Sequence, residues 1–248
     1  MKVMSNMATF MSCIEVEGDG SYVQSVLGQL RTIQSPRGDT GMILLTEIAQ
    51  TGKKMYIRPY VPSRRWGQCN ATATPDDQRA ATLEGTTLPV LDERGHPTLP
   101  AWGEPRQSGT GRGSDTVIRY SPSMWSPGSS CPSGPGTAAD EMLLHEMVHG
   151  LRHMRGRSVM LEQVDANPSM DNYEELVAIV VSNIYRSERG TAQLRRDHHG
   201  FNPLTAPLTN PSTFRATYLN HLVNFRIEQR SFVNALAAVR CAFNPLAS

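Results

Sequence analysis

His145-Glu146-Met147-Val148-His149 is the stretch whose residue types and spacing could do chemistry most directly. Two histidines four residues apart on a helix leave the same face about 6 Å apart in rise, so their imidazoles can close on one metal ion. That is zinc-ligand geometry. Glu146 sits about 100° round the helix from His145, so its carboxylate can reach a water on the metal without becoming a ligand. The chemistry this predicts is hydrolysis on a bound zinc ion with Glu146 as general base. A structural helix that merely carries these three residues is the competing reading, and the helix signals around the motif weigh against it. Thr137 followed by Asp140 forms a capping arrangement that predicts a start near Ala138, with the acid in the first turn. Leu144, Val148 and Leu151 recur at i, i+4 and i+7, so one stripe is expected to pack while the neighbouring stripe stays free for the site.

A catalytic zinc site takes three protein ligands and a water, so a third ligand must lie elsewhere. The metzincin continuation is excluded because Arg152 and Arg155 stand where glycine and histidine would be needed. His153 rises about 12 Å beyond His145 along the helix and cannot share its ion, which predicts a capping or surface histidine. A second helix is predicted from Asp171-Asn172-Tyr173-Glu174 to about Glu188, with Leu176, Val177, Val180, Val181 and Ile184 on its apolar face and Gly190 past its end. Its first turn carries Glu174 and Glu175, with 25 residues between His149 and Glu175, enough to lay the two helices side by side. Asp165 is a further candidate and would make the site an aspzincin. Glu175-Leu176-Val177-Ala178 has an ExxA form similar to the glutamate helix of gluzincins, and this resemblance favours Glu175, with Glu174 in reserve. The metal set is therefore His145, His149 and Glu175. An oxyanion-stabilising group is sought among His198 and His199 of the RRDHHG segment and the phenols of Tyr173 and Tyr185, with His198 and Tyr185 carried forward as catalytic candidates.

The elements that must hold these residues read as α+β. Helices are predicted over Ser21 to Ile33 and Gly41 to Gln50, the second carrying Ile43, Leu44 and Ile48 inward, with Ser35-Pro36-Arg37-Gly38 as the turn between them. Lys53 to Tyr60 alternates as a half-buried strand. Residues 61–114 lose periodicity and accumulate Pro, Gly and Thr. They predict an irregular, mobile excursion with a strand or two hidden in it, one near Thr87 to Leu91, and with Trp66 and Trp102 as hydrophobic anchors. Asp115 to Tyr120 is a clearer strand, placed to be the edge that aligns substrate backbone beside the metal helix. Residues 205–248 predict a helical C-terminal extension of two helices, with Phe214, Tyr218, Leu222 and Phe225 on one core stripe and Phe232, Leu236, Val239 and Phe243 on the next. The whole, 1–248, is read as a single domain.

Bulk properties narrow the partners. A net charge of +1 gives no reason to expect nucleic acid or an anionic membrane, and no stretch reaches the roughly 18 apolar residues of a membrane span. The four cysteines form no CxxC pair, so zinc knuckles and thioredoxin-like sites are not indicated and reduced thiols are the default expectation. The N-terminal residues make a poor cleavable signal peptide, so export would need a dedicated route.

Taken together, the SPRGDTG turn, the GKKMYIRP and DTVIRYSP strands, the HEMVHGLRH helix and the NYEELVAIVVSNIYRSE helix resemble, over residues 15–205, the M91 family of zinc metallopeptidases, the NleD-like bacterial effector proteases. The resemblance implies a zincin-like fold, in which a small mixed or antiparallel sheet packs on the HExxH helix and the glutamate-bearing helix. It implies Zn2+ as cofactor and an endopeptidase that a specialised secretion system delivers into a host or competitor cell to cleave an intracellular protein, with a secretion component or chaperone as a further partner. It assigns His145 and His149 as ligands, Glu146 as base and Glu175 as third ligand. Two other functions remain open on the residues alone. One is a zinc amidase acting on peptidoglycan or another amide; the other is a non-catalytic binding module whose structural zinc takes a fourth ligand from His198 or His199.

Overall fold

A computed structural model describes residues 6–35, 38–62, 67–91, 97–101, 105–164 and 170–247. Trp66, Trp102, Asp165 and the Pro36-Arg37 part of the first turn lie outside them. A five-stranded mixed sheet is built from β1 (Asn6–Phe10), β2 (Ile14–Gly18), β3 (Met55–Arg58), β4 (Thr72–Pro75) and β7 (Thr116–Arg119), in the order β1-β2-β3-β7-β4. The central pairs β2/β3 and β3/β7 are parallel, and the outer pairs β1/β2 and β4/β7 are antiparallel. Each parallel pair needs a crossover. Helices α1 (Gly20–Ile33) and α2 (Thr40–Ala49) fill the first of these. Asp19 caps α1 by accepting from the Tyr22 amide, and Val23, Val26, Leu27, Leu30 and Ile33 are buried at helical spacing. In α2 Leu44, Leu45 and Ile48 are buried while Ile43 is only half-buried, so the inward stripe is turned by one residue from the expected one.

The described parts of the excursion at 61–114 carry more regular structure than their composition suggests. They contain β4, a single helical turn α3 (Gln78–Ala81) and a two-stranded ribbon of β5 (Val90–Leu91) and β6 (Pro97–Thr98). Because β4 pairs with β7, the DTVIRY strand is an interior strand and not the edge expected of it. Its backbone groups are spent on both neighbours, and β4 takes the outer position beside the motif helix. The same pairing brings Cys69, just before β4, to the loop that follows β7, where it forms a disulfide with Cys131. Reduced thiols are thus corrected for this pair, and Cys13 and Cys241 are free. Sequence separation concealed the contact, since only strand register brings the two segments together. Closing a loop of 62 residues is expected to contribute about 2–4 kcal/mol, so the Cys69→Ser/Cys131→Ser protein should show a correspondingly lower urea-unfolding free energy. An unchanged midpoint would refute the tether.

The motif helix α4 (Ala139–Met154) lies across β4 and β7 and packs side by side with α5 (Tyr173–Glu188). Gly150 permits the approach to the sheet: a Cβ there would stand 2.7 Å from Met55 Cε and 3.2 Å from Thr116 Cγ2. Helix α4 is buried almost all round, not on one stripe, because sheet, α1, α2 and α5 all close on it. Thr137 does not cap it. The Thr137 hydroxyl bonds back to Gly134 in the preceding turn, and the N-cap is Ala138 with no side-chain cap. The other end is a Schellman stop: Gly156, at φ +63°, donates to His153 O and the Arg157 amide donates to Arg152 O. His153 is buried with Nδ1 3.3 Å from Thr116 Oγ1, so it is a packed histidine and not the surface or capping one expected. At the C-terminus three helices, α6 (Pro211–Thr217), α7 (Leu219–Glu228) and α8 (Arg230–Ala237), replace the two expected. The predicted stripe survives the break at Tyr218, since Phe214, Tyr218, Leu222 and Phe225 are all buried. No helix among the described residues is long and apolar enough to cross a membrane.

Candidate active site

Helices α4 and α5 meet where the motif histidines face the first turn of α5. Asn172 caps α5 by accepting from the Glu175 amide, which fixes the turn from which the Glu175 carboxylate projects. His145 Nε2 lies 3.2 Å from Glu175 Oε2 and 3.2 Å from His149 Nε2, and His149 Nε2 lies 3.4 Å from Glu175 Oε1. Three donor atoms, one from each residue, lie within 4.8 Å of one another. Ligands placed tetrahedrally at the roughly 2.0–2.1 Å of a Zn–N bond stand about 3.3 Å apart, so the donors already have the spacing and chemistry of a borderline dication site. No fourth residue joins this group among the described residues.

The electrostatics divide the two imidazoles. Burial, reinforced by the Arg195 guanidinium, lowers His145 to about 3 and keeps it neutral, the form a metal ligand requires. Burial pushes His149 the same way, but the charge of Glu175 and its hydrogen bond outweigh this and raise it to about 9. Burial would raise Glu175 too, yet the charges of His198 and His149 hold its carboxyl well below the usual range. Glu146 is buried beside them, and burial raises its pKa. A carboxylate destabilised in this way is a stronger proton acceptor than one in water.

Glu174 and Glu175 are separated by their partners. Glu174 accepts from Arg152 Nε at 2.7 Å and Nη2 at 2.8 Å, and also from the Val159 amide at 2.8 Å. Arg152 is fully buried and also reaches Glu228 of α7 at 2.9 Å, with the Tyr173 ring beneath its guanidinium. Glu174 is thereby removed from the histidines it was held in reserve for.

The oxyanion candidates are dispersed. Tyr185 is buried and donates to Asp140 Oδ2 at 2.8 Å, ten residues along α5 from Glu175, a rise of about 15 Å. The structure does not bring it to the cluster. Tyr173 is turned to Glu228. His198 does arrive, with Nε2 3.6 Å from Glu175 Oε2 and its ring stacked on His145 at 6.4 Å between centroids. Its Nδ1 lies 2.6 Å from Asp171 Oδ2, and His199 Nε2 lies 3.1 Å from the same oxygen.

Two residues at the site escaped the sequence reading. Asp171 was legible only as part of a capping signature, since its partners are 27 residues away. Arg195 stands in the polar RRDHHG segment, where nothing in the sequence marks it as buried. It donates from Nε to Asp197 O at 2.8 Å, approaches His145 Nδ1 at 3.4 Å, and spreads over the Phe201 ring.

Comparison with known proteins gives one family. A model of Peptidase_M91, described as effector protein, matches residues 11–221. No curated protein and no solved structure matched.

Proposed function

Since the chain belongs to the Peptidase_M91 family of effector proteins, we propose that it is a zinc-dependent endopeptidase with a zincin-like fold, delivered into a target cell to cleave a protein there. The observation that carries the reading is the convergence of His145, His149 and Glu175 at tetrahedral ligand spacing beside a buried, raised-pKa Glu146. His145, His149 and Glu175 would hold the ion. When bound, zinc supplies Lewis-acid polarisation and an acidified water. Glu146 is placed to take a proton from an attacking water at its carboxylate and to pass it to the leaving amine. His198, oriented by Asp171, presents Nε2 towards the site and stabilises charge developing on the scissile carbonyl oxygen. Strand β4, as the outer strand beside α4, offers the edge along which an extended substrate can be aligned.

A ligand group of three favours catalysis over a structural zinc, which would take a fourth protein donor. The peptidase family favours peptide bonds over the amidase alternative. Incubation of the zinc-loaded protein with a target-cell lysate, followed by sequencing of new protein N-termini, tests this. New termini that disappear with a chelator and return with zinc are expected; hydrolysis of peptidoglycan fragments with no new protein termini would overturn it.

His198→Ala is expected to lower kcat by on the order of 10²-fold with KM and the zinc at His145, His149 and Glu175 unchanged. Tyr185→Phe should leave kcat unchanged, since that hydroxyl serves Asp140. A loss confined to the tyrosine variant would reverse the two roles.

A further inference from the structure

Asp171, His198 and His199 form a second constellation next to the first. One donor atom from each lies within 4.8 Å of the others, and both imidazoles are aimed at a single oxygen, Asp171 Oδ2, at 2.6 and 3.1 Å. The rings of His198 and His199 are 4.0 Å apart between centroids and tilted by 34°. Two further observations point to a built site. Asp171 sits at φ +55°, a left-handed conformation uncommon for a residue other than glycine, and this places its carboxylate against the imidazoles. The loop that carries the histidines is fastened from within: Arg195 Nη2 donates to His198 O, Asn183 binds the Arg195 backbone in both directions, and Asp197 accepts from Asn202. The backbone of the loop is therefore fixed at Arg195 and at the His198 carbonyl by buried groups.

We propose that Asp171, His198 and His199 bind a second first-row transition-metal dication, zinc being the natural occupant, more weakly than the first site. Two imidazoles and a carboxylate suit Zn2+, Ni2+ or Cu2+ and not Mg2+ or Ca2+, which take oxygen donors. The donors stand closer to the shared oxygen than the roughly 3.3 Å of a tetrahedral ligand pair, so admitting an ion opens the group by less than about 1 Å. His199, with a side chain 72% exposed, can supply that movement. Exposure also makes this the weaker site, because solvent competes for its ligands. His198 joins the two, since its Nδ1 lies 2.6 Å from Asp171 Oδ2 while its Nε2 lies 3.6 Å from Glu175 Oε2. The inference rests on the proposed function only in taking His145, His149 and Glu175 as the other site.

Zinc titration against a chromophoric chelator, with Mg2+ as the control ion, tests it in the full chain. The wild type is expected to bind two zinc ions, His199→Ala one, Glu175→Ala one, and the double variant none; Mg2+ should displace neither. His199 is mostly exposed, so its replacement leaves the fold intact, and circular dichroism of each variant verifies this. A wild type that binds a single ion, lost in Glu175→Ala and kept in His199→Ala, overturns the second site and leaves the first standing. A single ion kept in Glu175→Ala and lost in His199→Ala supports the second site and sinks the peptidase centre instead.

Discussion

Glu146→Gln is expected to retain its zinc and lose proteolysis by on the order of 10³-fold, the scale of a removed general base. Glutamine keeps the shape of the side chain and its burial among α4 neighbours, so the cluster of His145, His149 and Glu175 is undisturbed. What it removes is a basic carboxylate whose pKa is raised by burial. The sign of that shift supplies a second readout. A carboxyl whose pKa is raised on folding destabilises the folded protein once pH exceeds its unfolded value, so with both proteins stripped of metal the neutral isostere should unfold at an equal or higher temperature than the wild type at pH 7. A variant with lower kcat and lower thermal stability would mean that Glu146 acts through structure. Full activity in a folded, zinc-loaded Glu146→Gln protein would remove it from the mechanism.

Arg152→Ala should be the most destabilising single substitution near the site, by about 3–5 kcal/mol. Arg152 is fully buried between Glu174 and Glu228, and Glu174 spends both carboxylate oxygens on it and on the Val159 amide. Burial pushes Glu174 up, but the Arg152 charge outweighs this and holds it below the usual carboxylate range. Removing the cation leaves the buried Glu174 and the half-buried Glu228 without a counter-charge. Set against a typical total stability of about 5–15 kcal/mol, that loss is large. Neutralising the acids as well, in Arg152→Met/Glu174→Gln/Glu228→Gln, should recover much of it, because replacing a whole buried ion group costs far less than halving it. Urea unfolding of the two proteins decides the matter: equal losses would mean that packing of the arginine stem, not charge, is what α4, α5 and α7 share there. Because Glu174 is next to Glu175, the single variant is also expected to bind zinc more weakly.

Local signals carried the parts of this account that depend on local geometry. The HExxH spacing places His145 and His149 on one helix face wherever the helix packs, and the Asn172 cap fixes the first turn of α5 whatever precedes it. Both helices could therefore be read before the fold was known. The choice between Glu174 and Glu175 rests on likeness to another family; that Arg152 holds Glu174 away from the histidines is something no periodicity reveals. What was not legible depends on pairing across the sheet. Strand β4 has a half-buried, polar sequence with no alternation strong enough to stand out from its surroundings. Missing it made β7 an edge and hid the Cys69–Cys131 contact. His153 was misplaced for a related reason. Its exposure was judged from α4 alone, and the strand residue Thr116 covers it. Asp171 and His198 are joined by loop geometry over 27 residues, beyond the reach of any local rule.

The most direct measurement is elemental analysis of zinc in the wild type, Glu146→Gln and Glu175→Ala, each dialysed first against a weak chelator that strips loosely held ions. The account predicts one tightly bound zinc per chain in the wild type and in Glu146→Gln, and none in Glu175→Ala. Zinc retained in full by Glu175→Ala, or absent from the wild type, would contradict the assignment of His145, His149 and Glu175 as a catalytic metal centre.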